Sequence, residues 1–362
     1  MKHWGLLFLS LTCWLSVPAQ SLLQRSINWL EQDHRLLPLP IVYRSPETSW
    51  AAGGSLGYYF HTGDSSSTSN LQLQAVYTMR QQLITRFSGE VFGPNNRYYA
   101  YGYLSYRQYV DRYYGIGPLT TLNDREDFSY RSWEGWGGWL WSVRPNLYAG
   151  LQFRHQLMYD MDYVQSGALA NGLVNGSAGS TTTGFGPELF YDTRDKVQSP
   201  RRGWRMQAAW RLHPAWYAGT SAFRFGQVDL RHYHPVQPKI TWAKRLLYRQ
   251  ADGAAPFREL ALAGGSEFAR GYFEGRFRDN SLLGLENEFR WQFHRRFSWN
   301  FFASGFQVGN RPNQLFQNPW QYAYGTGLRI FVNPEERVAL RIDVARTAER
   351  QLAFYLDLSE AF

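Results

Sequence analysis

The chain has 362 residues, a formal charge of +9, a mean hydropathy of −0.45, and 17% aromatic residues spread among 33 glycines. Beyond its N-terminus no window holds the eighteen or more uninterrupted apolar residues of a membrane helix, which excludes a helical membrane protein. The positive charge is carried by arginine, with only four lysines, and the arginines are scattered with no nucleic-acid-binding signature, so nucleic acid is not an expected partner. Arginine's rigid fork suits a polar lumen of internal ion pairs and contacts with anionic lipid headgroups.

The elements follow in chain order. Residues 1–19 read as a secretory signal peptide: Met1-Lys2-His3, an apolar run from Trp4 to Val17, then the small-residue site Val17-Pro18-Ala19. Cys13, the only cysteine, lies inside it, so the mature chain is expected to hold no disulfide and no cysteine metal site. Residues 20–36 are expected to form a short periplasmic N-terminal segment. A barrel domain is expected over 37–362, its first strand, Leu37 to Arg44, weakened by Pro38 and Pro40, which lack backbone donors.

Period-two alternation then marks strands with two unlike faces. Leu71, Leu73, Ala75 and Tyr77 oppose Gln72, Gln74 and Thr78. Met161 to Thr183 is a long Gly/Ser/Thr-rich loop. Tyr191-Asp192-Thr193-Arg194-Asp195, closed by Pro200 and Gly203, reads as a turn in which Asp192 and Asp195 pin Arg194. Trp204, Met206, Ala208, Trp210 and Leu212 oppose Arg205, Gln207 and Arg211. His232 and His234 precede Pro235, read as a turn, and no triad or metal spacing accompanies them. Next comes the glycine-rich loop Gly264 to Arg290, with Arg270-Gly271-Tyr272 and Phe277-Arg278-Asp279. Leu285, Phe289, Trp291 and Phe293 oppose Glu286, Glu288 and Arg290; Val338, Leu340, Ile342 and Val344 oppose Arg341 and Asp343. The last strand sends Leu352, Phe354, Leu356, Leu358 and the terminal Phe362 to one side, with Glu360 an exception on that face. Turn signals between such segments leave about sixteen strands of roughly 9–11 residues. The expected fold is all-β: a transmembrane antiparallel β-barrel. Counting back from a periplasmic Phe362 places the Met161–Thr183 and Arg270 loops on the outer face.

Arg270-Gly271-Tyr272 within its glycines, followed by Phe277-Arg278-Asp279, resembles the signature of the BamA/TamA superfamily of outer-membrane insertases and two-partner secretion transporters. The resemblance covers almost all of the mature length. It implies a sixteen-stranded barrel whose surface loop inserts into the lumen, its arginine held by acidic groups of the inner wall. The family's usual counter-ion, an aspartate in a Phe-x-Asp pattern, is replaced here by Phe302-Ala303-Ser304. The candidate counter-ions are therefore Glu286, Glu288 and Asp343, which the alternation turns inward. The Tyr191–Gly203 stretch resembles the family's periplasmic turn, and a final strand ending in Phe362 resembles the C-terminal signal by which outer-membrane proteins are assembled. The POTRA domains that precede the barrel in exporting and inserting members have no counterpart in 20–36, so a short, POTRA-less form is expected.

By resemblance, the function is assistance in inserting or translocating client envelope proteins, with outer-membrane lipids around the barrel and a lipoprotein or periplasmic partner standing in for POTRA. The rival expectations are a passive outer-membrane channel and a structural subunit of a surface complex. No catalytic residue, cofactor or metal is expected.

Overall fold

The computed structural model describes residues 36–362, apart from 64, 65, 165, 217, 218, 335, 336 and 359. The expected signal peptide, and the 20–36 segment except its last residue, lie outside the described residues. The strands are β1 Leu36–Ser45, β2 Ser49–Phe60, β3 Ser69–Thr78, β4 Leu83–Phe92, β5 Tyr98–Tyr113, β6 Glu126–Arg144, β7 Leu147–Tyr163, β8 Ser180–Asp192 and β9 Gly203–His213. They continue with β10 Phe223–Gln237, β11 Ile240–Gly253, β12 Ala261–Ala263, β13 Phe277–Asp279, β14 Ser281–His294, β15 Phe297–Gly309, β16 Gln321–Asn333, β17 Val338–Thr347 and β18 Leu352–Leu358. All but β12 and β13 close into one barrel in chain order, β11 pairing with β14 and β18 with β1. The short β12–β13 ribbon belongs to the loop between β11 and β14. No helix among the described residues is long and apolar enough to cross a membrane.

The alternation sets the two faces. Outward positions expose Leu73, Phe87, Leu104, Leu151, Leu189, Leu285, Phe289 and Val344, side chains that are stable in this position only against lipid. The opposite face of the barrel wall turns Arg245, Glu286, Glu288, Arg329, Arg341 and Asp343 inward, all buried. The two barrel ends also differ. One carries short turns such as 145–146, 238–239 and 295–296 and both ends of the described chain; the other carries the long segments 114–125, 164–179, 254–280 and 310–320. Short turns mark the periplasmic end and long loops the cell surface. Trp139, Trp141, Trp291 and Trp299 gird the first end, and Trp50, Tyr77, Tyr322 and Tyr324 the second, all exposed outward.

The wall is uneven. β5, β6 and β7 are 16, 19 and 17 residues long, whereas β1, β3 and β4 have 10 each and β18 has 7. A tilted crossing needs about 9–11 residues, so β18 falls short. Among the described residues, β18 meets β1 at one register pair, Arg44 with Leu356. The β1–β2 ladder, by contrast, runs unbroken from Leu36–Tyr58 to Ser45–Ser49, straight through Pro38 and Pro40. Donors on alternate residues of a strand point to opposite neighbours, so the donors missing at both prolines belong to the edge that faces β18. Pro235 corrects a turn expectation: β10 continues past it to Gln237 with a register shift, because an outward bulge tolerates the missing donor.

Candidate functional site

The loop between β11 and β14 folds from the surface into the lumen. Its first part is tied to the far wall, Arg258 to Asp111 on β5 at 2.6 Å and Glu259 to Arg154 on β7 at 2.9 Å. Phe257 packs there with Tyr113, Phe128, Tyr130 and Met158, and with Leu169 and Val174 of the 164–179 loop, which helps cap the outer mouth. Its second part is pinned by an apolar group in which Phe268, Ala269, Tyr272 and Phe277 meet Phe306, Val308 and Ala323 of the wall.

Arg270 lies at the centre, 1% exposed. Its guanidinium pairs with Glu288 of β14 and, at 2.6 Å, with Asp343 of β17. Phe302 of β15 closes the third side, its ring centroid 3.6 Å from the guanidinium carbon. Phe302 thus offers the guanidinium a π face, a strong contact when desolvated, while Ser304 donates to the Ala323 carbonyl at 3.5 Å. Glu286 does not pair with Arg270. It accepts the Ala269 N–H at 3.0 Å and faces Arg245 at 3.4 Å, so it fixes the loop backbone one residue away. Arg329 joins Asp343 at 2.6 Å and Glu360 at 2.7 Å, while Arg290 joins Glu288 at 2.8 Å. Glu288 and Asp343 are thus each shared by Arg270 and a second arginine, the arrangement a buried charge needs to offset its desolvation.

Gly271 passes so close to the wall that a Cβ would lie 2.9 Å from Thr347 Cγ2, and its φ of +118° is a conformation side chains avoid. Its N–H donates to the Tyr355 hydroxyl of β18 at 2.9 Å, and the Tyr272 hydroxyl donates to the Tyr322 carbonyl at 3.1 Å. At the loop tip the Glu274 N–H donates to Glu47 Oε1, in the turn between β1 and β2, at 3.0 Å. One loop therefore touches both strands of the seam or their turns. Phe277 and Asp279 are buried with it, and Arg278 is held by the carbonyls of Gly275, Phe257 and Arg112 with Tyr113 beside it.

Arg276, between these two motif segments, is enclosed as well: it is 2% exposed, pairs with Glu349 in the β17–β18 turn, and donates to the Thr120 carbonyl at 2.8 Å. The periplasmic turn is only partly as read. Asp192 holds Arg194 at 2.5 Å, but Asp195 accepts from the Arg201 N–H at 2.9 Å and pairs with Arg337 at 2.8 Å. Tyr191 closes the β7–β8 ladder opposite Leu147, Pro200 offers its carbonyl to Arg290, and Gly203 takes φ +108°. Phe362 is a plain correction. β18 ends at Leu358, and the tail turns inward, where Phe362 is 5% exposed against Tyr233 and Ala243 and its carbonyl accepts from Arg290 at 2.6 Å. Its side chain is not on the lipid face. The physical cause is Glu360, whose charge breaks the alternation and goes to Arg329, Ser199 and Asn300 inside the lumen.

A cavity of about 1290 Å³ remains below the loop, bounded by β1 to β4, the 194–198 turn and residues 265, 266 and 274, with polar side chains from Ser55, Asn70, Gln72, Gln74 and Arg86. It runs alongside β1 and Tyr355, Leu356 and Asp357 of β18.

No protein-family model and no curated relative matches the chain. Among solved structures it is similar to BamA from Haemophilus ducreyi lacking POTRA domains 1–3 (TM-score 0.60, 12% identity, 90% of this chain and 70% of that one). It is also similar to CdiB from Acinetobacter baumannii (0.56, 12%, 90% and 60%) and CdiB from Escherichia coli (0.60, 11%, 91% and 63%). The chain spans less than two thirds of the length of either CdiB chain. The closed barrel of sixteen strands, its lipid-facing belt and these likenesses together make the chain an outer-membrane β-barrel with the BamA-like fold.

Proposed function

We propose that this barrel assists the insertion or translocation of other envelope proteins through the seam between β1 and β18, acting with a separate periplasmic or lipoprotein partner. The observation that carries this reading is that, among the described residues, β1 and β18 share one register pair, Arg44 with Leu356, where the barrel's first and last strands meet. Sheet edges with unmade hydrogen bonds accept another strand. By the same register Pro38 and Pro40, which cannot donate, stand on this edge of β1 past Leu358, the last residue of β18, so β1 extends beyond its partner there. The polar cavity beside the same two strands offers a hydrated path into the seam. The loop that reaches Tyr355 on one side and Glu47 on the other acts as the clasp.

The test is to lock the seam. Arg44→Cys and Leu356→Cys, singly and together, are joined by oxidation or a short bifunctional crosslinker in membranes. The lone native cysteine, Cys13, lies in the predicted signal peptide. The locked pair should lose client insertion or translocation and regain it on reduction, while each single variant stays active. Full activity in the locked barrel would reject lateral opening and favour a passive pore or a structural subunit.

A further inference from the structure

We propose that the outward face of β9 to β11 carries a binding site for the phosphate of an anionic phospholipid in the periplasmic leaflet, built from Lys244, His232, His234, Trp204 and Trp242. The site arises from strand register. Trp204 lies opposite His232, His232 opposite Lys244, and His234 opposite Trp242, so all five share the lipid-facing side of three adjacent strands. His232 stacks on Trp204 with centroids 4.0 Å apart, and His232 and His234 lie 6.0 Å apart. The Lys244 ammonium sits 3.5 Å from the centroid of the Trp242 ring. Trp242 is itself fixed, its Nε1–H donating to Asn287 at 3.0 Å and its ring stacked on Phe289.

Two features point to a lipid anion. First, a lysine on a lipid-facing strand is costly unless its charge escapes the hydrocarbon. Trp242 is two residues nearer the periplasmic turn than Lys244, so the ammonium bends toward the periplasmic boundary, as snorkelling side chains do. Second, no carboxylate among the described residues pairs with Lys244; the surrounding groups are imidazoles, indoles and an amide. Three donor-bearing nitrogenous side chains beside aromatic walls, with Lys239 and Arg296 exposed in the turns below, leave a negative partner to be supplied from outside. At this depth the available anion is a phospholipid headgroup.

The full barrel is reconstituted in phosphatidylcholine bilayers with spin-labelled phosphatidylglycerol or phosphatidylcholine, and the motionally restricted fraction is measured. The wild-type barrel should select phosphatidylglycerol, and Lys244→Gln should weaken that selection about fivefold, the effect of one basic residue at a membrane surface. Lys244→Arg should retain it. Arg224→Gln, near the outer end of β10 beside Asp252, serves as a folded control and should change nothing. Selection that is unchanged in Lys244→Gln, or lost equally in Arg224→Gln, would overturn the proposal. So would displacement of the labelled lipid by millimolar inorganic phosphate, which would make the ligand a free anion.

Discussion

Arg270→Ala tests the loop anchor. The variant removes the cation that Glu288 and Asp343 share and the partner of the Phe302 ring. Breaking a buried ion pair costs about 3–5 kcal/mol because the remaining charge stays buried. Here Arg290 still reaches Glu288 and Arg329 still reaches Asp343, which moves the electrostatic loss to the lower end. The lost cation–π contact adds back about 2 kcal/mol in a desolvated site. The expected total is about 5 kcal/mol, which raises the unfolded fraction by between three and four orders of magnitude. Urea unfolding in detergent, followed by the heat-dependent shift in gel mobility, reads it directly. Arg270→Lys should lose less, since a point charge keeps one pairing but not a planar fork across two carboxylates and a ring. If Arg270→Ala falls within about 0.5 kcal/mol of wild type, the range of an ordinary surface change, the pairing is not what holds the loop.

Other consequences are as specific. Arg276→Ala should destabilise by about 2–4 kcal/mol, because Glu349 and the Thr120 carbonyl lose a buried donor; an effect near zero in the same unfolding assay would return that side chain to solvent. Burial pushes the Glu47 carboxyl up to about 7 from an ordinary 4.5. The folded protein then holds this proton more tightly than the unfolded chain, so its contribution to stability is fully present below about 4.5 and is lost as pH rises through about 7, a difference on the order of 3 kcal/mol. Glu47→Gln should flatten stability over that interval, and an unchanged pH profile would contradict the assignment. Glu360→Gln should free the C-terminal tail from Arg329 and expose residues 360–362 to carboxypeptidase, whereas continued protection would place the tail's anchor elsewhere.

Much of the barrel was legible because one face of each strand meets lipid and the other a charged lumen, so period two survives in the chain. Glu286, Glu288 and Asp343 could be turned inward on that ground alone, and two of them meet Arg270. What could not be read depends on contacts across the lumen. Phe302 beneath Arg270, Glu349 on Arg276 and Glu47 on Glu274 join segments with no common sequence pattern. The departure at Glu360 was visible on the apolar face of the last strand; its meaning, a tail turned inward to Arg329, required the opposite wall. The same holds for Asp195, whose partner Arg337 lies in a different turn.

Hydrogen exchange of the folded barrel in lipid nanodiscs reports how often each strand pair opens, and so whether the seam does. Amides of β18, and those on the β18-facing edge of β1, should exchange orders of magnitude faster than amides of β10 and β11, and faster still in Arg270→Ala. Uniform protection around the barrel, with the β1–β18 junction as slow as its neighbours, would contradict a seam built to open.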